Sequence, residues 1–280
     1  LKKQVTIIEA NRNAGLFNWA ELKRYKDLLY FMVLRDVTVL YKQTVLGFAW
    51  AILNPLFQIV VFSVVFGSLA GIKPDVAGMP YPLFSCLAVI PWTYFSSAVS
   101  SSGASLIGAS AIFTKVYFPR IMIPMTAVFS KLVDLSISFL ILIGIMIYFG
   151  YMPGSNVVFV IIPLLILVLS AAGLGLWFAA LSVQYRDFKF ALGFLLPLLM
   201  YAAPVAFPAS LVLAKMGEGW YQVYAAYPMV GVIEGFRNAF AADTAMPWSI
   251  MLISLLSASV IFISGALYFK KMEKHFADLA

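Results

Sequence analysis

The sequence predicts an all-α integral membrane protein. Six transmembrane helices are preceded by an amphipathic interface helix, with short re-entrant helices on the external side between helices five and six. Three observations predict this. Of the 280 residues, 63% are hydrophobic and 11% charged, whereas a soluble domain carries roughly 25% charged residues. Six apolar runs reach the ~20 residues that a spanning helix needs. Basic residues, finally, crowd alternate connections between those runs.

One domain accounts for the whole chain. Residues 1–43 form a cytoplasmic N-terminus and the interface helix, 45–269 the membrane region and 270–280 a cytoplasmic tail. The net charge of +7 would point to nucleic acid in a soluble protein. Here the cations flank apolar runs and act as topology determinants, so no nucleic-acid partner is expected. With Cys86 the only cysteine and His275 the only histidine, an intrachain disulfide is impossible and no metal cluster is expected. Residues 1–19 lack the apolar core of a signal peptide.

The interface helix is read at Leu22–Lys42. Leu22, Tyr25, Leu29, Met32, Val33 and Leu40 recur at helical spacing, and most of the charges fall on other faces. Such a helix lies in the interface plane with its apolar side toward lipid; a helix packed on a partner is the alternative. The six spans follow at Val45–Leu69, Leu83–Ile107, Ile121–Phe149, Val157–Val183, Phe190–Val212 and Trp248–Phe269. The second contains FSSAVSSSGAS. Small residues let helix backbones approach closely, so this span is expected to lie against protein rather than lipid.

The segment before the first span, the second and fourth connections and the tail hold most of the Lys and Arg. The positive-inside bias therefore places both termini in the cytoplasm, which six spans require. Residues 203–247 are too apolar for a free loop and too rich in Pro and Gly for a clean span. Non-helical backbone at that depth must be covered by protein or line a watery cavity. Glu234 and Arg237, three apart, are read as an external gate, with a structural plug or a dimer contact as alternatives.

No Walker A, G-x-S-x-G or H-E-x-x-H pattern occurs, so no catalytic residues are expected and the chain binds no ATP through a P-loop of its own. Lys131 and Asp134 are the one ionisable pair well inside a span, and they are expected to neutralise one another. Energy for transport must then come from elsewhere, or the chain is a passive pore.

Several stretches resemble a known family. These are RD-x4-YKQTVLGFAWAILNP at Arg35–Pro55, PWTYF at Pro91–Phe95, TKVYFPRIMIP at Thr114–Pro124, QYRDF at Gln184–Phe188 and YPMVGVIEGFRNAF at Tyr227–Phe240. In this order they resemble type-2 ABC exporter permeases, and more narrowly those that export O-antigen, capsule and teichoic-acid polysaccharides. The resemblance runs from about Leu28 to Lys271.

It implies a homodimer in the bacterial inner membrane, driven by two copies of a separate ABC ATPase that carries the ATP and Mg²⁺. No cofactor is implied in this chain. The connection between spans two and three becomes a coupling helix, with Phe113, Lys115, Tyr117, Phe118 and Arg120 seated on the ATPase. The substrate becomes a lipid-linked glycan. Arg35, Lys42 and Arg120 are candidates for its pyrophosphate, since Arg suits bidentate phosphate contact; topology flanking is the plainer reading of each. Trp50, Phe57, Gln58, Phe62, Trp92, Tyr94 and Tyr201 are glycan-path candidates, against ordinary packing or lipid contact. An exporter of drugs or other lipids is the runner-up, ahead of a passive channel or a membrane glycosyltransferase.

Overall fold

A computed structural model describes residues 23–42, 47, 49–76, 78–108, 118–185, 187–242 and 244–276. Every regular element among them is helical. Helix α1 spans Lys26–Lys42, and α2 spans Ala49–Phe62 and continues as a π-turn over Ser63–Leu69. Helix α3 is Tyr81–Gly108, α4 is Met122–Phe149, and α5 is Ile161–Gln184 behind a 3₁₀ lead-in at Ser155–Val160. Then come α6 (Phe188–Ala202), α7 (Ser210–Met216), α8 (Glu218–Ala225), α9 (Pro228–Phe240) and α10 (Trp248–Met272).

Five of these stretches are long and apolar enough to cross a membrane: α2 with its π-turn, α3, α4, α5 with its lead-in, and α10. The fifth run, Phe190–Val212, behaves differently. It stops at Ala202, because Ala203 turns extended (φ −82°, ψ 153°) ahead of Pro204, and a residue before proline is steered out of the helical region. The expected continuous span Phe190–Val212 is therefore a 15-residue helix, an irregular segment and α7. At 1.5 Å per residue α6 covers roughly 22 Å, short of a ~30 Å hydrocarbon core.

Helix α3 is the hub, as its small residues predict. It packs against α2, α4, α5, α6 and α9, and 78% of its most apolar window is buried, against 11% for α2. Close approach is visible atom by atom. A Cβ on Gly175 would meet Ser102 Oγ at 2.6 Å, and one on Gly103 would meet Leu192 Cδ1 at 2.6 Å. The serines do not leave polar atoms stranded, since Ser105 donates to Ser102 O at 2.6 Å and Ser102 to Pro124 O on α4 at 3.3 Å. Helices α5 and α10 cross on glycines as well. A Cβ on Gly173 would lie 2.7 Å from Phe262 Cα, and one on Gly265 would collide with the Gly173 carbonyl. Trp177 then stacks on Tyr268 at 4.4 Å and donates to Ser264 Oγ at 3.1 Å.

Two apolar clusters mark the ends of the bundle. At one end Leu28, Leu29 and Met32 of α1 pack with Phe118, Phe269 and Phe276. At the other, Ala209, Ala225, Val230 and Ile250 gather the short helices against the start of α10. The beginning of α1 and the end of α10 thus lie at the same end. Three short helices, rather than the one or two expected from sequence, fill the region between α6 and α10.

Gly173→Val is expected to lower the thermal unfolding midpoint of the purified protein in detergent. It forces backbone apart where no flexible side chain can yield, a cost of about 1–3 kcal/mol. Gly144→Val, where an added Cβ meets nothing, is expected to leave the midpoint unchanged.

Candidate functional site

The first helix sets up the site. Asp27 near its start and Lys42 in its last turn both complement the helix dipole. One face is packed in the cluster around Phe118, while Tyr30 (60% exposed) and Phe31 (65%) point away from the bundle. The last turn delivers Tyr41, buried against α4, where its hydroxyl donates to Asp134 Oδ1. Lys131 donates to the other oxygen, Oδ2, at 3.1 Å. The expected neutralisation of Lys131 by Asp134 is present, with a tyrosine added. Burial, then the hydrogen bond and charge of Asp134, push the Tyr41 hydroxyl well above its ordinary range. It therefore remains a protonated donor across physiological pH.

Two cavities open on either side of this junction. The larger, about 570 Å³, lies between α1 and the facing halves of α3 and α4, and Arg35, Ser101, Ser105, Phe118 and Lys131 are among its walls. The smaller, about 290 Å³, lies between α2, α3 and α4 and is lined by Tyr41, Trp50, Asn54, Thr93, Tyr94, Ser97, Lys131, Asp134 and Ser138. Along the outer side of α2 and α4 runs a third, largely apolar groove, bounded by Ile52, Leu56, Ile137, Ile141, Gly144 and Tyr148.

The residues proposed from sequence are distributed unevenly over this arrangement. Trp50 and Tyr94 share the smaller cavity, Trp50 being 46% exposed and Tyr94 donating to Val128 O at 3.3 Å. Gln58 follows on α2, its Oε1 buried and without a hydrogen-bond partner. Phe57 and Tyr201 are exposed, and half-buried Phe62 packs on Phe66. Trp92 belongs to the packed interior, 4% exposed and 5.5 Å from Phe95, so it faces neither cavity.

The three cations are not gathered. Arg35 lines the larger cavity but pairs with its neighbour Asp36 at 2.7 Å. Lys42 is exposed. Arg120 donates from Nη1 to Glu273 O at 2.7 Å, fastening the foot of α4 to the end of α10.

Of the expected coupling residues, Phe113, Lys115 and Tyr117 lie outside the described residues. Phe118 is 5% exposed, wedged among Leu106, Met122 and Phe276 of its own chain.

At the opposite end, Glu234 and Arg237 are buried, 4% and 0% exposed, and paired at 3.0 Å. Arg237 also donates to Phe207 O at 3.2 Å and Val205 O at 3.1 Å, and its guanidinium carbon sits 3.4 Å over the Phe84 ring. Glu234 accepts from Ala209 N at 3.2 Å. Together these contacts form a brace that holds residues 205–209.

Sequence reasoning passed over Asn54 and Tyr41. Asn54 stands one helical turn from Trp50, and a lone asparagine in an apolar span is itself a signal. Tyr41 lay inside the quoted Tyr-Lys pair without a role.

The family model described as ABC-2 type transporter matches residues 27–241. The chain belongs to that family. This ABC-2 chain is accordingly a multi-pass membrane protein and a transporter component rather than an enzyme. It is 26% identical to the O-antigen export system permease protein RfbA of Myxococcus xanthus, over 92% of this chain and 97% of that one. Likeness to the protein of the same name from Klebsiella pneumoniae is 24%, over 90% and 95%. The polysialic acid transport protein KpsM of Escherichia coli is 22% identical, over 86% and 92%.

For the brace, Arg237→Met alone is expected to destabilise the ABC-2 chain by about 3–5 kcal/mol, since it leaves Glu234 buried without its cation. Changing both residues to methionine should recover part of that loss. Thermal unfolding of the single and double variants measures the difference.

Proposed function

We propose that this chain is the permease subunit of an ATP-driven exporter that moves lipid-linked polysaccharide, of O-antigen, capsule or teichoic-acid type, out of the cytoplasm. The observation that carries the reading is end-to-end likeness to permeases named for O-antigen export and polysialic acid transport. Two copies pair in the bacterial inner membrane with two copies of an ABC ATPase, which holds ATP and Mg²⁺. Sparsely buried α2 and exposed Phe194, Leu198 and Tyr201 on α6 supply apolar surface for the second copy and for the path between them.

Six crossings with both termini cytoplasmic fit the bundle. The end of α5 and the start of α10 lie at opposite ends, as Gln184 bonded to Tyr268 and Gly235 packed on Pro163 indicate. The chain must therefore return across through α6 and the braced segment. In this reading α1 lies at the inner interface, with Tyr30 and Phe31 toward lipid or the ATPase.

Coupling passes through the connection that ends at Phe118. Phe113, Lys115 and Tyr117 contact the ATPase, while Phe118 anchors the connection to α10 from inside. Arg35, from the wall of the larger cavity, meets the pyrophosphate, with Lys42 and Arg120 as flanking cations.

Depleting the protein in its native cell is expected to abolish surface polysaccharide and accumulate lipid-linked polymer on the cytoplasmic face. Normal surface glycan together with retained drugs or other lipids would replace this reading with the broader exporter one. Within the complex, Tyr117→Ala should reduce co-purification of the ATPase without lowering the permease unfolding midpoint. Phe118→Ala should instead lower that midpoint, by about 3–5 kcal/mol of stability. The reverse pattern would shift the anchor to Phe118.

A further inference from the structure

The smaller cavity has a chemical character of its own. Lys131 and Asp134 face each other at 3.1 Å, so the lining carries no net charge. Its hydroxyls spend their hydrogens on backbone carbonyls: Thr93 on Val89 O at 2.8 Å, Ser97 on Tyr94 O at 3.1 Å and Ser138 on Asp134 O at 2.9 Å. Each oxygen keeps lone pairs for another donor. Asn54, an exposed residue of the lining, makes no hydrogen bond among the described residues. At the mouth Trp50 keeps nearly half its surface open.

A free phosphate would want an uncommitted cation, which this lining lacks. A neutral ring bearing many hydroxyls fits it better. Its hydroxyl donors meet the serine, threonine and tyrosine oxygens, Asn54 both donates and accepts, and its C–H face lies on the indole of Trp50. The volume of about 290 Å³ admits one sugar unit rather than a chain. The same two helices, α2 and α4, continue away from the cavity as the walls of the apolar groove past Ile52, Leu56 and Gly144.

We propose that the cavity between α2, α3 and α4 is a subsite for a single sugar ring attached to a lipid, with the lipid chain lying in the adjoining groove. The source of that glycolipid rests on the exporter reading above; the chemistry of the subsite does not.

The test uses the purified permease in phosphatidylcholine nanodiscs, without its ATPase, so that it stands apart from export. Native mass spectrometry titrates three probes: polyprenyl-phosphoryl hexose, the same polyprenyl phosphate without sugar, and phosphatidylethanolamine. The wild type is expected to bind the hexose lipid about tenfold more tightly than the bare prenyl phosphate, a difference of about 1.4 kcal/mol. Asn54→Ala and Trp50→Ala should each erase that preference while leaving the bare lipid and the unfolding midpoint unchanged. Asn54 is the safer variant for folding, as it holds nothing else. Equal binding of the two prenyl probes by the wild type would overturn the subsite, and so would a preference that survives both substitutions. Binding of phosphatidylethanolamine that competes with the hexose lipid and matches its affinity would mark a general membrane-lipid site and overturn it too. A sugar preference found in a chain whose depletion leaves surface glycan normal would retain the subsite and discard the exporter reading.

Discussion

Arg237 holds together the part of this chain that a helix cannot. Between Ala202 and Ser210 the backbone leaves helical geometry inside an apolar region, where water is not on hand to satisfy it. Side chains from three helices take water's place. Arg237 of α9 covers the carbonyls of Val205 and Phe207, Tyr81 of α3 donates to Ala206 O at 2.7 Å, and Glu234 accepts the amide of Ala209. Tyr224 and Tyr227 complete the set on Ala202 O and Leu199 O. The guanidinium can remain buried because Glu234 balances it and the Phe84 ring lies beneath it. Without these contacts the end of α6 and the short helices after it would have no fixed relation to the bundle.

Below that brace, burial is graded from α3 outward. Helix α3 has the least oily sequence of the long helices and the most complete burial, and the two facts have one cause. In a membrane, oiliness brings no advantage to a helix–helix contact, whereas small side chains allow backbones to meet and disperse well. Gly103, Gly175, Gly173 and Gly265 place α3, α5 and α10 at distances a single added carbon would violate. Helix α2 with its π-turn is the least buried of the long helices, approaches α3 closely at Gly67 on Tyr81, and keeps Phe57, Val60, Val61 and Val64 exposed. A closely packed block of α3, α5 and α10 thus carries α1 and α2 on its flank.

Much of this was legible in the sequence, and what was not has physical reasons. Apolar run length located the five long helices to within a few residues, because bilayer thickness imposes length directly. The small-residue run foretold the burial of α3, and spacing foretold both ion pairs. The interruption at Ala203 was carried by Pro204 and Pro208, yet the apolar run continues through them and length alone reads straight across. The packing direction of an aromatic ring was not legible at all. Trp92 and Tyr94 are two apart on one helix, and only the neighbours supplied by α4 and α2 decide that Tyr94 meets a cavity and Trp92 does not. Phe118 went the same way: an aromatic in a short connection reads equally as an anchor for a partner or for its own chain.

The junction at Tyr41 connects these levels. The hydroxyl of the last turn of α1 and the ammonium of Lys131 share one carboxylate on α4, so α1 cannot slide along α4 without breaking the hydrogen bond from Tyr41 to Asp134. At its other end α1 is fixed to Phe118, Phe269 and Phe276, and Arg120 clamps the foot of α4 to the end of α10. Both cavities border Lys131, one on each side of α1's attachment. Leu40 of α1 lines both, Arg35 the larger and Tyr41 the smaller, so the seating of this one helix shapes the walls of the two together.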